Sequence, residues 1–137
     1  MSQATVLIVE DDDDLLEVLK IRIEAMGYRV LMTNSGSQAL ALAQEKRPEL
    51  VILDIFLPDM DGLTVLKRMK APIDIKTGKP SKSKEIPIVV ITGKAPMIEN
   101  MTRIEGAADF FVKPIDMEKL TYRIKQLLVQ TEHESRR

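Results

Sequence analysis

Three runs in this chain are apolar at every position: Val6-Leu7-Ile8-Val9, Leu50-Val51-Ile52-Leu53 and Ile88-Val89-Val90-Ile91. A strand with one wet face alternates apolar and polar residues, so a short unbroken apolar run marks a strand covered on both faces. Two shorter runs, Val30-Leu31-Met32 and Phe110-Phe111-Val112, read as further strands. Amphipathic stretches fill the intervals. After the acidic cluster from Glu10 to Asp14, the residues Leu15, Leu19, Ile23 and Met26 fall on one helical stripe that stops at Gly27. Asn34, Ser35 and Ser37 offer caps for a helix through Leu40 and Leu42 that ends before Pro48. The turn-like segment Leu57-Pro58-Asp59-Met60-Asp61-Gly62 leads into a helix from Leu63 to Met69. Pro96 opens a fourth helix running to Glu105 and stopped by Gly106, and Asp116 caps a fifth carrying Leu120, Ile124, Leu127 and Leu128. Five strands alternating with five helices predict an α/β fold, a doubly wound parallel sheet with helices on both faces and strand order 2-1-3-4-5.

One domain accounts for residues 1–130. An apolar content of 45% with 30% charged residues is that of a globular protein and excludes a disordered tail. The net charge of -1 argues against bulk nucleic acid as a partner, and no direct nucleic-acid contact is expected from this domain. Without cysteine, disulfides and thiolate metal sites are excluded. The first residues lack the basic-then-apolar pattern of a signal peptide, and no apolar run approaches a membrane span, so a soluble, cytoplasmic protein is expected. Residues 71–85, with Pro72, Gly78, Pro80 and four lysines, show no period and read as an extended, flexible basic loop between the third helix and fourth strand. The charged tail, 131–137, is expected to fray.

Polar residues share one address at the ends of the buried strands. Glu10 and Asp11 end the first, Asp54 the third, Thr92 the fourth and Lys113 the fifth. In a parallel sheet these ends lie along one edge, where ligands bind at the reversal of strand order. With order 2-1-3-4-5 the first and third strands are neighbours there, so the carboxylates of Glu10, Asp11 and Asp54 converge. Converging carboxylates repel unless a cation joins them, and an all-oxygen donor set suits a hard divalent ion, Mg2+ or Mn2+. Asp54 is then placed as a nucleophile toward a phosphoryl donor, with Lys113 and Thr92 available to its oxygens. Each residue alone also fits a plainer role as a cap, strand terminator or loop residue; their joint placement favours the chemical one.

In order, Val9-Glu10-Asp11-Asp12, the segment from Asp54 to Gly62, Thr92-Gly93 and Phe110-Phe111-Val112-Lys113-Pro114 resemble the response-regulator receiver family of two-component signalling, from Thr5 to about Leu128. The resemblance implies the flavodoxin-like (βα)5 fold, with Asp54 as phospho-acceptor and Asp11 and Asp54 as direct metal ligands. It further implies Glu10 as a ligand directly or through water, and the backbone carbonyl of Phe56 as completing the set. Lys113-Pro114 corresponds to the family's cis peptide. The implied donor is a sensor histidine kinase or phosphotransfer protein. The implied output is a protein target or homodimer met through the face of the fourth helix, fifth strand and fifth helix. Thr92 and Phe110 take the positions of the switch, with a phenylalanine where a tyrosine is common.

The basic loop is longer than is usual for the family, and the interval from Thr92 to Lys113 slightly shorter. Phe56 and Lys94 are the side chains placed to tune hydrolysis. Three other readings compete with the switch, and the residues disfavour each. A Mg-dependent phosphohydrolase requires an acid two positions after Asp54, where Phe56 stands. A pseudo-receiver binding partners without phosphorylation normally lacks one of the acids or the lysine. A nucleotide-binding domain would carry a glycine-rich fingerprint after the first strand. No second domain is expected in the residues after the fifth helix, which fits both a stand-alone receiver and a piece of a longer regulator.

Overall fold

The fully apolar runs form the middle of a sheet. The computed structural model describes residues 3–93 and 97–135. Its elements run β1 (Thr5–Val9), α1 (Asp13–Ala25), β2 (Arg29–Thr33), α2 (Gly36–Lys46), β3 (Leu50–Asp54), α3 (Gly62–Lys70), β4 (Ile88–Thr92), α4 (Met97–Ile104), β5 (Asp109–Val112) and α5 (Met117–Ser135). The five strands form one sheet in the order β2-β1-β3-β4-β5, every pairing parallel, as the sequence predicts. Every residue of β3 and β4 is buried, whereas the edge strands β2 and β5 expose Arg29, Met32 and Val112.

Successive side chains of the inner strands go to opposite faces. Leu7, Val9, Val51, Leu53, Ile88 and Val90 pack with Ala39 and Ala43 of α2 and Leu66 and Met69 of α3. Val6, Ile8, Leu50, Ile52, Val89 and Ile91 pack with Leu19 and Ile23 of α1 and Leu120 and Ile124 of α5. Each fully buried Leu or Ile contributes about 2 kcal/mol by transfer from water, so the inner strands anchor the fold.

Caps set the helix starts. Asp12 Oδ1 accepts from the amides of Asp14 and Leu15, Ser35 caps α2 through Gln38 N, and Asp61 caps α3 through Leu63 N. Gly27 and Gly106 end α1 and α4 with positive φ. The expected fourth-helix start at Pro96, and Lys94, lie outside the described residues. Helix α5 continues past Leu128 to Ser135, into the segment expected to fray. No helix among the described residues is long and apolar enough to cross a membrane.

The segment 71–85 is more organised than its lack of period suggests. Ile73 and Pro80 form an antiparallel bridge, Asp74 N donates to Lys79 O at 2.9 Å, and Gly78, at φ 70°, donates to Asp74 O at 2.8 Å. This small hairpin is tied to α2. Gln44 Nε2 donates to Ser81 Oγ (3.0 Å) and Ser83 Oγ (2.9 Å), and its Oε1 accepts from Lys82 N (2.9 Å). Buried Ser83 donates in turn to Met69 O at 2.8 Å.

Candidate functional site

Glu10 follows the last residue of β1, and Asp54 is the last residue of β3. Since Val9 is registered with Leu53, both acids emerge side by side at the carboxyl edge of the sheet. Glu10 is fully buried and Asp54 nearly so, while Asp11 is exposed at the mouth. Carboxylate oxygens of Glu10, Asp11 and Asp54 lie within 4.8 Å of one another. Thr92, fully buried, ends β4, one residue beyond Ile91, the register partner of Asp54. Lys113 follows β5 and sends its ammonium across the edge, 2.8 Å from Glu10 Oε1 and 3.1 Å from Asp54 Oδ2. The Lys113–Pro114 peptide bond is cis.

The backbone holds the remaining oxygens. Glu10 Oε2 accepts from the amides of Asp11 (3.0 Å) and Asp12 (3.1 Å), and Asp54 Oδ1 accepts from Phe56 N at 3.1 Å. Glu10 Oε1 is buried with the Lys113 ammonium beside it but no aligned hydrogen bond. Burial raises the Glu10 pKa above its ordinary value, against the opposing pull of Lys113. Burial alone would depress Lys113, but its close ionic contact with the Glu10 carboxylate and the charge of Asp54 outweigh this and raise it. One ammonium thus faces three carboxylates. Two like charges at such a spacing repel by roughly 4 kcal/mol at an effective dielectric near 20. An all-oxygen set with surplus negative charge and an under-bonded oxygen fits a hard divalent cation.

The loop from Ile55 to Asp61 is shaped by Gly62, whose amide donates to Ile55 O at 2.8 Å. Phe56 is half exposed beside the site and pairs across this loop with Asp61. Phe110 lies apart from the acids, buried in the core on the α2–α3 face of the sheet. Sequence reasoning missed Asp59, whose carboxylate accepts from Ser35 Oγ (2.9 Å) and the amides of Gly36 (2.9 Å) and Ser37 (3.3 Å). Its place in a Pro-Asp-Met-Asp-Gly turn signals a bend and says nothing of a partner across the fold. Gln44 was missed likewise, for want of any local pattern.

Fold and site together are those of a signalling receiver domain. Comparison with known proteins agrees: the chain belongs to the response regulator receiver domain family, which it matches over residues 6–125. Transcriptional regulatory protein AfsQ1 of Streptomyces coelicolor is 33% identical over 132 residues, covering 96% of this chain and 54% of that protein. DNA-binding response regulator MtrA of Mycolicibacterium smegmatis is 33% identical over 130 residues, covering 94% and 52%. The chain spans about half the length of these curated relatives. Among solved structures, the response regulator receiver domain protein (CheY-like) from Methanospirillum hungatei JF-1 matches with a TM-score of 0.81 and 28% identity, over 97% of this chain and 99% of that one. The Vibrio cholerae chemotaxis protein CheY4 gives 0.78 and 26%, over 92% and 99%.

Proposed function

We propose that this domain is a phosphorylation-dependent switch, in which Asp54 accepts a phosphoryl group in a Mg2+-dependent reaction and the change alters which partner the domain binds. The observation that carries this reading is the cluster of Glu10, Asp11 and Asp54 within 4.8 Å, with the Lys113 ammonium 3.1 Å from Asp54 Oδ2. The carboxylates of Glu10, Asp11 and Asp54 and the carbonyl of Phe56 would hold the ion, with Mn2+ able to replace Mg2+. Bound there, the ion supplies positive charge to the phosphoryl oxygens.

The donor is a phosphohistidine of a sensor histidine kinase or phosphotransfer protein. A carboxylate oxygen of Asp54 forms the new O–P bond as the P–N bond breaks, and the electron pair stays on the imidazole nitrogen. The Lys113 ammonium neutralises charge on the transferred group, and the Thr92 hydroxyl donates to one of its oxygens. Thr92 and Phe110 then pass the change to the face of α4, β5 and α5. Exposed Ile104, Val112 and Tyr122 on those elements support a protein target or a second copy as the occupant. A cytoplasmic setting fits such a donor. The DNA-binding response regulator MtrA aligns with this chain over about half its own length, so its name supports no DNA contact by these residues.

Intact-mass spectrometry after incubation with acetyl phosphate tests the reading. A single phosphoryl adduct that needs Mg2+ and vanishes in Asp54→Ala is expected. No adduct on the folded protein would overturn it in favour of phosphorylation-independent binding.

A further inference from the structure

The 71–85 hairpin makes a groove of about 500 Å3 against α2 and α3. It lies at the edge of the sheet opposite the acidic cluster, because α2 ends and β4 begins there. Five cations line it: Arg47 just past α2, Arg68 of α3, and Lys76, Lys79 and Lys82 of the hairpin. Among the described residues none of these five has a carboxylate within 4.0 Å. Two acids also line the groove, Glu45 and Asp74. Asp74 is engaged within the hairpin turn, accepting from Lys76 N at 3.2 Å and Thr77 Oγ1 at 3.1 Å.

The groove is not merely charged. Leu40, Ile75 and Pro80 line it too, and Ile75 is 63% exposed. The bonds from Gln44 to Ser81, Lys82 and Ser83 tie the hairpin to α2, so this isoleucine is displayed by an anchored element. A bare inorganic anion would leave such an apolar surface unused. A nucleic-acid strand would find, among the described residues, no aromatic side chain in the groove on which a base could stack. Unpaired cations around exposed aliphatic carbon complement a peptide that carries both carboxylates and aliphatic side chains.

We propose that this groove docks an acidic, amphipathic segment of a partner protein. Its carboxylates meet the Arg and Lys rim, and one aliphatic side chain seats on Ile75 and Leu40. The surface shares no residue with the acidic site or with the α4–β5–α5 face, so an occupant there leaves both accessible.

The test is a titration of the isotope-labelled full chain with a blocked peptide alternating pairs of glutamate and leucine, followed by amide NMR shifts. Shifts confined to the C-terminal half of α2, the end of α3 and the hairpin are expected, with binding weaker in high salt. Affinity should fall about tenfold or more in the Lys79→Glu, Lys82→Glu double variant and again in Ile75→Ser. All three substituted side chains are exposed, and unchanged circular dichroism verifies folding. Absent binding, shifts elsewhere, or indifference to both variants would overturn the proposal. So would equal affinity for polyglutamate or tripolyphosphate, which would mark a plain anion site, or tighter binding of a single-stranded oligonucleotide.

Discussion

Gly62 packs so closely under Ile55 that a Cβ on it would lie 2.4 Å from the Ile55 Cα. The obstacle is backbone, which cannot swing aside as a side-chain end can, and it belongs to the loop that follows Asp54. Gly62→Ala should therefore destabilise the fold by about 2 kcal/mol or more and slow phosphoryl uptake by displacing this loop. Gly93→Ala is the control: among the described residues a Cβ there meets nothing within 4 Å, and the change should stay within about 0.5 kcal/mol. Urea denaturation of both variants measures the contrast, and equal losses would refute the steric argument.

The surplus negative charge at the carboxyl edge predicts opposite effects for its two partners. Glu10→Gln keeps an oxygen for the amides of Asp11 and Asp12 but removes one like charge. In chelator it should stabilise the protein by roughly 1–2 kcal/mol. Lys113→Met leaves Glu10 and Asp54 facing each other and should cost about 3 kcal/mol under the same conditions. Adding Mg2+ should raise the Tm of the wild type, by the equivalent of about 2.7 kcal/mol at a hundredfold excess over Kd, and raise Glu10→Gln much less. Thermal melts with and without Mg2+ decide it. An equal response of wild type and Glu10→Gln would remove Glu10 from the ion's ligands.

The fold was legible because its signals are local. Unbroken apolar runs such as Leu50 to Leu53 are too short for a buried helix and read as doubly covered strands, and the parallel order brings their polar ends together. The acids and Lys113 could thus be placed at one edge from the strand ends alone. What stayed hidden depends on contacts distant in sequence. Nothing around Asp59 says that it reaches the start of α2, and nothing around Gln44 says that it ties down residues 81–83. The hairpin itself escaped because Pro72 and Pro80 interrupt any strand period, while its turn is held by the Asp74 carboxylate and Gly78.

Gln44 is the fastening of that hairpin, so Gln44→Ala should release it without loosening the sheet. Three hydrogen bonds lose their partner, two of them to the hydroxyls of Ser81 and of buried Ser83, and the cost should be about 1–3 kcal/mol. Hydrogen exchange should accelerate over residues 72–83 while β3 and β4 keep their protection. Acetyl phosphate should still label Asp54 at the wild-type rate, because the hairpin lies at the opposite edge. Faster exchange throughout β4 would show instead that the hairpin is part of the cooperative core.

Helix α2 has no acidic residue in its own first turn, and Asp59 supplies one from the neighbouring loop. The Gly36 amide, then the Ser35 hydroxyl, hold the Asp59 carboxyl below its usual pKa. The folded protein therefore takes up this proton at lower pH than the unfolded chain does, and the stabilisation exists only while the carboxylate is charged. Asp59→Ala should lower the urea midpoint by a constant amount from neutral pH down to about pH 4. Below that, the gap between wild type and variant should close as the pH falls through the depressed folded value. A gap that persists unchanged into strong acid would mean that Asp59 acts through packing and not through its charge.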